Sequence, residues 1–106
     1  MKQRVLHDLI MYQRAHRDKR NQWLHYLAFF AASVGWVALL IDWRVTVGCA
    51  ILHYACAWTG HFVFERNRPA SFQRPFIGFY AGFLWFFLRT LEIVSGKRWL
   101  PQMEDI

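Results

Sequence analysis

The stretch "GHFVFERNRP", Gly60 to Pro69, sets a histidine and a glutamate one helical turn apart and follows them with two arginines. At i, i+4 spacing His61 and Glu65 share a helix face, so both can reach one metal ion or one proton. Such a pair is common on helices and decides little alone. Two more histidines add to it: His25 in an earlier apolar stretch, and His16 in the polar segment before that. Three imidazoles and a carboxylate suit Fe(II), and a non-haem iron oxygenase needs only a few such ligands with positions left open. The plainer alternative makes these histidines interfacial residues at headgroup depth. Composition and spacing leave both readings open.

Other polar residues carry plainer expectations. His53 lies deep in an apolar stretch, where it is either bonded to a backbone carbonyl or a deep member of the site. His7 reads as an exposed residue of a surface helix. Arg66, Arg68 and Arg74 can anchor a loop to anionic headgroups and can also receive an acidic substrate.

The elements that must position these residues are apolar. Hydrophobic residues make up 56% of the 106-residue chain and the formal charge is +6. The chain holds one domain, residues 1–106, and a soluble domain of this size has little interior for so many large rings. Three windows carry the apolar residues: 23–43, 45–64 and 76–94. A span needs about 20 such residues, so the first two windows fit. The third is interrupted by Arg89 and Glu92, so it tilts, snorkels or stops short. Residues 1–22 place Val5, Leu6, Leu9 and Ile10 at helical spacing, the pattern of an amphipathic helix on a membrane surface. The expected fold is all-α: a small polytopic membrane bundle of an N-terminal amphipathic helix, a transmembrane hairpin and a third hydrophobic helix. Gly78 and Gly82 form a small-xxx-small pattern that allows close helix packing. Cys49 and Cys56 lie in one window, too far apart on a helix for a disulfide, and read as buried small residues.

Basic residues concentrate before Trp23 and after Phe64, which places the N-terminus and the 65–75 loop on the cytoplasmic side. In a bacterium this is the inner membrane. The short connection near Asp42 to Val45 forces an antiparallel hairpin. His25 precedes Trp43 by 18 residues and His61 follows Val45 by 16, about 27 and 24 Å along a helix. The two histidines therefore reach nearly the same depth.

With these residues in view, "GHFVFERNRPASF" resembles the "GH-x-x-FE-x-x-x-PA" signature of the Mpo-like family, small membrane dioxygenases of 2-hydroxy fatty acids. "YQRAHRDKRNQWLH" resembles its "Y…H…N-x-x-x-H" element, with His16, Asn21 and His25 on the polar positions, and Trp58 before the Gly-His also fits. The resemblance covers about Tyr12 to Gly96. It implies an Fe(II)-dependent, haem-free dioxygenase of α-oxidation, which shortens a 2-hydroxy fatty acid by one carbon; in fungal members this serves phytosphingosine breakdown. By position, His16, His25 and His61 would hold the iron, with Glu65 a fourth ligand or a base beside them. Asn21 would orient His25 or the substrate, and Arg68 would face the substrate carboxylate or hold the loop beside Pro69. Arg66, in the same basic loop, is a further expected substrate-binding residue. The chain departs from the family at Lys19 and Arg20, where relatives often have Pro-Gly. It departs again at Ala81-Gly82-Phe83, where short relatives often have Gly-Asp-Phe.

The chemistry of such a substrate agrees with the layout. Its reactive α-carbon lies beside a carboxylate, so a metal at headgroup depth and a basic loop suit it. The expected partners are a 2-hydroxy fatty acid, O₂, the lipid membrane and a second copy of the chain through the glycine-bearing third segment, with no nucleic acid. Two other functions stay open: a haem-carrying electron-transfer bundle with His25 and His61 as axial ligands, and a non-catalytic lipid-binding or assembly protein.

Overall fold

The structure, a computed structural model, describes residues 2–69 and 74–102; Ala70, Ser71 and Phe72 of the "RPASF" stretch lie outside the described residues. Four helices follow in order, α1 (Gln3–Arg14), α2 (Lys19–Ala38), α3 (Trp43–Thr59) and α4 (Pro75–Ser95), and among the described residues there is no strand. A π-helical turn, Gly60–Glu65, continues α3. The protein is all-helical. The helices belong to two compact units, one holding α1 and α4 and the other α2 and α3.

In the second unit, α2 starts where Asp18 accepts a hydrogen bond from the Arg20 N–H at 2.8 Å, satisfying one orphan donor of the first turn. Asp42 caps α3 in the same way through Arg44 N–H. The apolar window 23–43 is not one helix: α2 ends at Ala38 and the chain turns through Leu39 to Asp42. Leu40 and Ile41 are left 89% and 86% exposed, which marks the turn as apolar but unpacked.

The two helices meet in a regular antiparallel register. Thr46 Oγ1 donates to the Gly35 carbonyl at 2.6 Å. Seven residues further on, His53 Nδ1 donates to the Ala28 carbonyl at 2.8 Å and its ring meets Phe29 edge-on. Seven further again, Gly60 lies against Asn21. The seam is lined by small buried residues of α2, Ala28, Ala31, Ala32 and Gly35, so the backbones approach closely enough for side chains to reach carbonyls across it. A seven-residue repeat is the period of left-handed helix packing. His53 is thus a structural residue of the seam.

In the first unit, Leu9, Ile10 and Tyr12 of α1 are buried, and α4 presents Ala81, Gly82, Trp85 and Phe86 as its buried face. Tyr12 and Trp85 rings lie 5.8 Å apart, and Tyr80 Oη donates to Asp8. Leu9 and Ile10 of the α1 stripe are therefore covered by protein, where the sequence pattern pointed to a lipid surface, while Val5 and Leu6 stay half-buried. Gly82 is part of that packed face. Pro75 at the start of α4 has no amide to orphan, and Gly96 ends the helix at φ 71°, a left-handed conformation that glycine adopts without strain.

Two helices are long and apolar enough to cross a membrane, Trp43–Glu65 and Phe76–Ser95. Only 22% of each is buried, unlike the core helix of a soluble protein. Trp36, Ile51, Phe76, Phe87 and Val94 point large apolar surfaces outward.

Candidate metal centre

The antiparallel register brings the far ends of α2 and α3 together, and His25 and His61 meet there. Their rings lie 4.7 Å apart, edge to face, and both are buried. Such a contact leaves no slot for a porphyrin between them, which removes the bis-histidine haem arrangement.

What each ring can offer follows from its second nitrogen. His25 Nδ1 lies 3.1 Å from the Asn21 carbonyl, one turn back on α2. A carbonyl only accepts, so Nδ1 carries the proton and the lone pair sits on Nε2. His61 Nδ1 donates to Asn67 Oδ1 at 2.6 Å, fixing the same tautomer. His16, in the first unit, donates Nδ1–H to the Tyr12 carbonyl at 2.5 Å and stacks on the Tyr12 ring at 3.9 Å. Burial pushes the Tyr12 phenol well above its ordinary pKa, so it stays neutral beside His16. Each imidazole thus has one nitrogen tied to an oxygen acceptor, the arrangement that orients metal-bound histidines and raises their basicity.

The π turn explains how Asn67 reaches His61. It winds the chain wider than an α-helix and ends at Arg66, a non-glycine residue at φ 57°. Asn67 N–H then donates to the His61 carbonyl at 3.1 Å while its side chain holds the ring of the same residue. π turns and left-handed non-glycine residues both cost energy and gather at functional sites.

Asn21 is completely buried, and neither its Nδ2 nor its Oδ1 has a hydrogen-bond partner among the described residues. Leaving a buried polar group unpaired costs about 1–3 kcal/mol. Gly60 makes its position possible: a Cβ there would fall 1.7 Å from Asn21 Oδ1 and 3.4 Å from His25 Cε1. Gly60, the Asn21 amide and the His25 ring therefore meet at one corner.

Glu65 has a different engagement from the histidines. Its Oε1 accepts a hydrogen bond from the Asp18 backbone N–H, tying the end of the π turn to the start of α2. Arg20, paired with Asp18 at 2.9 Å, lies over the Phe64 ring at 4.4 Å and closes the same corner. Arg66 and Arg68 are exposed and form no ion pair among the described residues.

Within the second unit His25 and His61 face each other as candidate metal ligands, and His16 of the first unit is likewise a buried candidate ligand. Asn67 and Tyr12 were not singled out by residue spacing as groups that would orient them. Asn67 stands in the quoted motif, but its six-residue separation from His61 matches no face of an α-helix.

The sequence profile of a family described as "2-hydroxy-palmitic acid dioxygenase Mpo1-like" matches residues 3–94. The chain belongs to the Mpo1-like family. No curated protein and no solved structure matches it. The Mpo1-like match spans both units and includes all three histidines, Asn21, Glu65 and Asn67.

Proposed function

We propose that this Mpo1-like protein is an Fe(II)-dependent membrane dioxygenase that converts a 2-hydroxy fatty acid to the fatty acid one carbon shorter. The observation that carries the reading is the common state of His16, His25 and His61, each buried with Nδ1 donating to an oxygen. Neutral imidazoles so oriented fit iron(II) and supply no charge, leaving the ion able to take an anionic substrate. Bound iron(II) would supply the one-electron chemistry with O₂ that amino-acid side chains lack.

The chain's own residues do the rest. Asn21 offers one donor and one acceptor beside His25, a match for the hydroxyl and carboxylate of a 2-hydroxy acid. Arg66 and Arg68 stand exposed after the π turn, where they would draw the carboxylate in. Glu65 holds the π turn to the α2 terminus and so keeps His61 in place. The balance closes without an external reductant: one 2-hydroxy acid and one O₂ give the shorter acid, CO₂ and water. Helices α3 and α4 would cross the bilayer with their outward apolar faces in lipid, and α2 would cross beside α3, because only then do the N-terminus and the 65–75 loop both lie on the cytoplasmic side.

The test is metal content of protein purified anaerobically in detergent, wild type beside His61→Ala. Stoichiometric iron that disappears in the variant, followed by one-carbon shortening of a 2-hydroxy fatty acid, is the expected result. No iron in the wild type after Fe(II) loading overturns the reading and favours a non-catalytic lipid-binding protein.

A further inference from the structure

The C-terminal end of α4 builds a second polar site that the proposed reaction does not use. After Gly96 the chain folds back along the last turn of the helix. Glu92 Oε2 accepts from the backbone N–H groups of Trp99 and Leu100, each at 2.9 Å. The Trp99 indole N–H donates to Ser95 Oγ at 3.0 Å, and Gln13 Nε2 of α1 donates to the Pro101 carbonyl at 2.8 Å. This hook encloses an open cavity of about 350 Å³ lined by Gln13, Arg89, Glu92, Lys97, Arg98 and Pro101, among others.

The charges in that cavity are unequal. Among the described residues Glu92 is the cavity's one carboxylate, and both its oxygens are occupied, Oε1 by Arg89 Nη1 at 3.2 Å and Oε2 by the two backbone donors. Lys97 and Arg98 are exposed and form no ion pair among the described residues. The carbonyl end of α4 opposes an anion by only about half a charge. Two cations with no ion pair among the described residues therefore stand in a cleft of ligand size.

Its placement narrows the ligand. The cavity opens directly after Ser95, where the apolar helix Phe76–Ser95 ends. Trp99 stands half exposed beside it, the residue type that favours the headgroup layer. We propose that this hook is a binding site for a phosphate group, held by Lys97 and Arg98 and seated on Gln13, with an anionic phospholipid headgroup as its source. The proposal is independent of the metal centre and of the proposed reaction.

The full chain in detergent would be titrated with fluorescent phosphatidylglycerol, with phosphatidylcholine as the neutral lipid and glycerol phosphate as the soluble competitor. The double variant Lys97→Gln/Arg98→Gln should bind phosphatidylglycerol roughly 25-fold more weakly, about fivefold per charge lost. The charge-keeping Lys97→Arg/Arg98→Lys should retain most of the affinity, and Lys2→Gln/Arg4→Gln should change it little. Glycerol phosphate that competes as well as the lipid would keep the site and assign it to a free phosphate ester. Equal affinity for phosphatidylcholine would overturn the proposal. So would equal loss in the Lys2/Arg4 variant, or no loss in the Lys97/Arg98 one.

Discussion

Replacing Gly60 with alanine tests the packing that seats the histidine pair. The new Cβ would fall 1.7 Å from Asn21 Oδ1 and 2.7 Å from its Cγ, with His25 Cε1 at 3.4 Å. An amide on a mobile surface chain would swing aside cheaply. Asn21 is fully buried, so either its side chain or the π turn must shift, and overpacking of this kind costs about 1–3 kcal/mol. Gly48, in the same helix, provides the control. Nothing lies within 4 Å of a Cβ added there, so Gly48→Ala should gain about 0.5–1 kcal/mol from helix propensity. The two alanines should therefore move the unfolding midpoint in opposite directions, and only Gly60→Ala should lower iron content. Asn21→Ala combined with Gly60→Ala should recover part of the lost stability, because the clashing amide is gone. The reasoning fails if Gly60→Ala matches Gly48→Ala in both stability and iron content.

Four further outcomes follow from the same geometry. Asn67→Ala frees the His61 ring from its acceptor and should weaken metal affinity by about 10–100-fold with helicity unchanged, read by metal titration and circular dichroism. Glu65→Gln keeps an oxygen that can accept from Asp18 N–H, so iron content should stay near wild type; a loss as deep as that of His61→Ala would make Glu65 a ligand. Ile51→Asp puts a charge on an outward face that is 67% exposed; in a membrane this costs about 2.5–3.5 kcal/mol of insertion, so the variant should leave the membrane fraction, whereas a water-facing position would tolerate it. The Asp18 carboxyl is held below its usual pKa by its hydrogen bonds with Arg20. Its folded pKa is the lower one, so its stabilisation is present above the ordinary carboxylate range and fades as pH falls through the folded value. Asp18→Asn should therefore flatten the acid side of the stability profile.

Much of this layout was legible in residue spacing, for reasons that also show where legibility ends. Depth arithmetic from a short hairpin connection pairs His25 with His61, because rise per residue is fixed in any helix. It did not require the turn to be placed correctly. The turn lies at Leu39–Asp42, four residues that are mostly as apolar as the helices they join. Where the surroundings are lipid, apolar composition reports the environment and not the backbone conformation. The α1 stripe shows the same ambiguity, since a lipid surface and the face of α4 reward identical residues. Asn67 was hidden because a π turn and a left-handed residue change the helical period locally. Glu65 shares the expected corner with His61, yet a free backbone donor at Asp18 competes for its carboxylate, and no spacing rule reveals such a competitor.

The seven-residue rungs of the hairpin set a rule for how this scaffold can change length. Thr46, His53 and Gly60 meet Gly35, Ala28 and Asn21 in turn. One residue inserted in α3 between rungs would rotate everything beyond it by about 100° and carry His61 away from His25. Seven residues inserted in each helix would preserve every facing and move the histidines about 10.5 Å farther from the turn. Variants engineered for thicker or thinner bilayers should therefore work in matched steps of seven and fail in between, so membrane thickness enters this protein as a whole number.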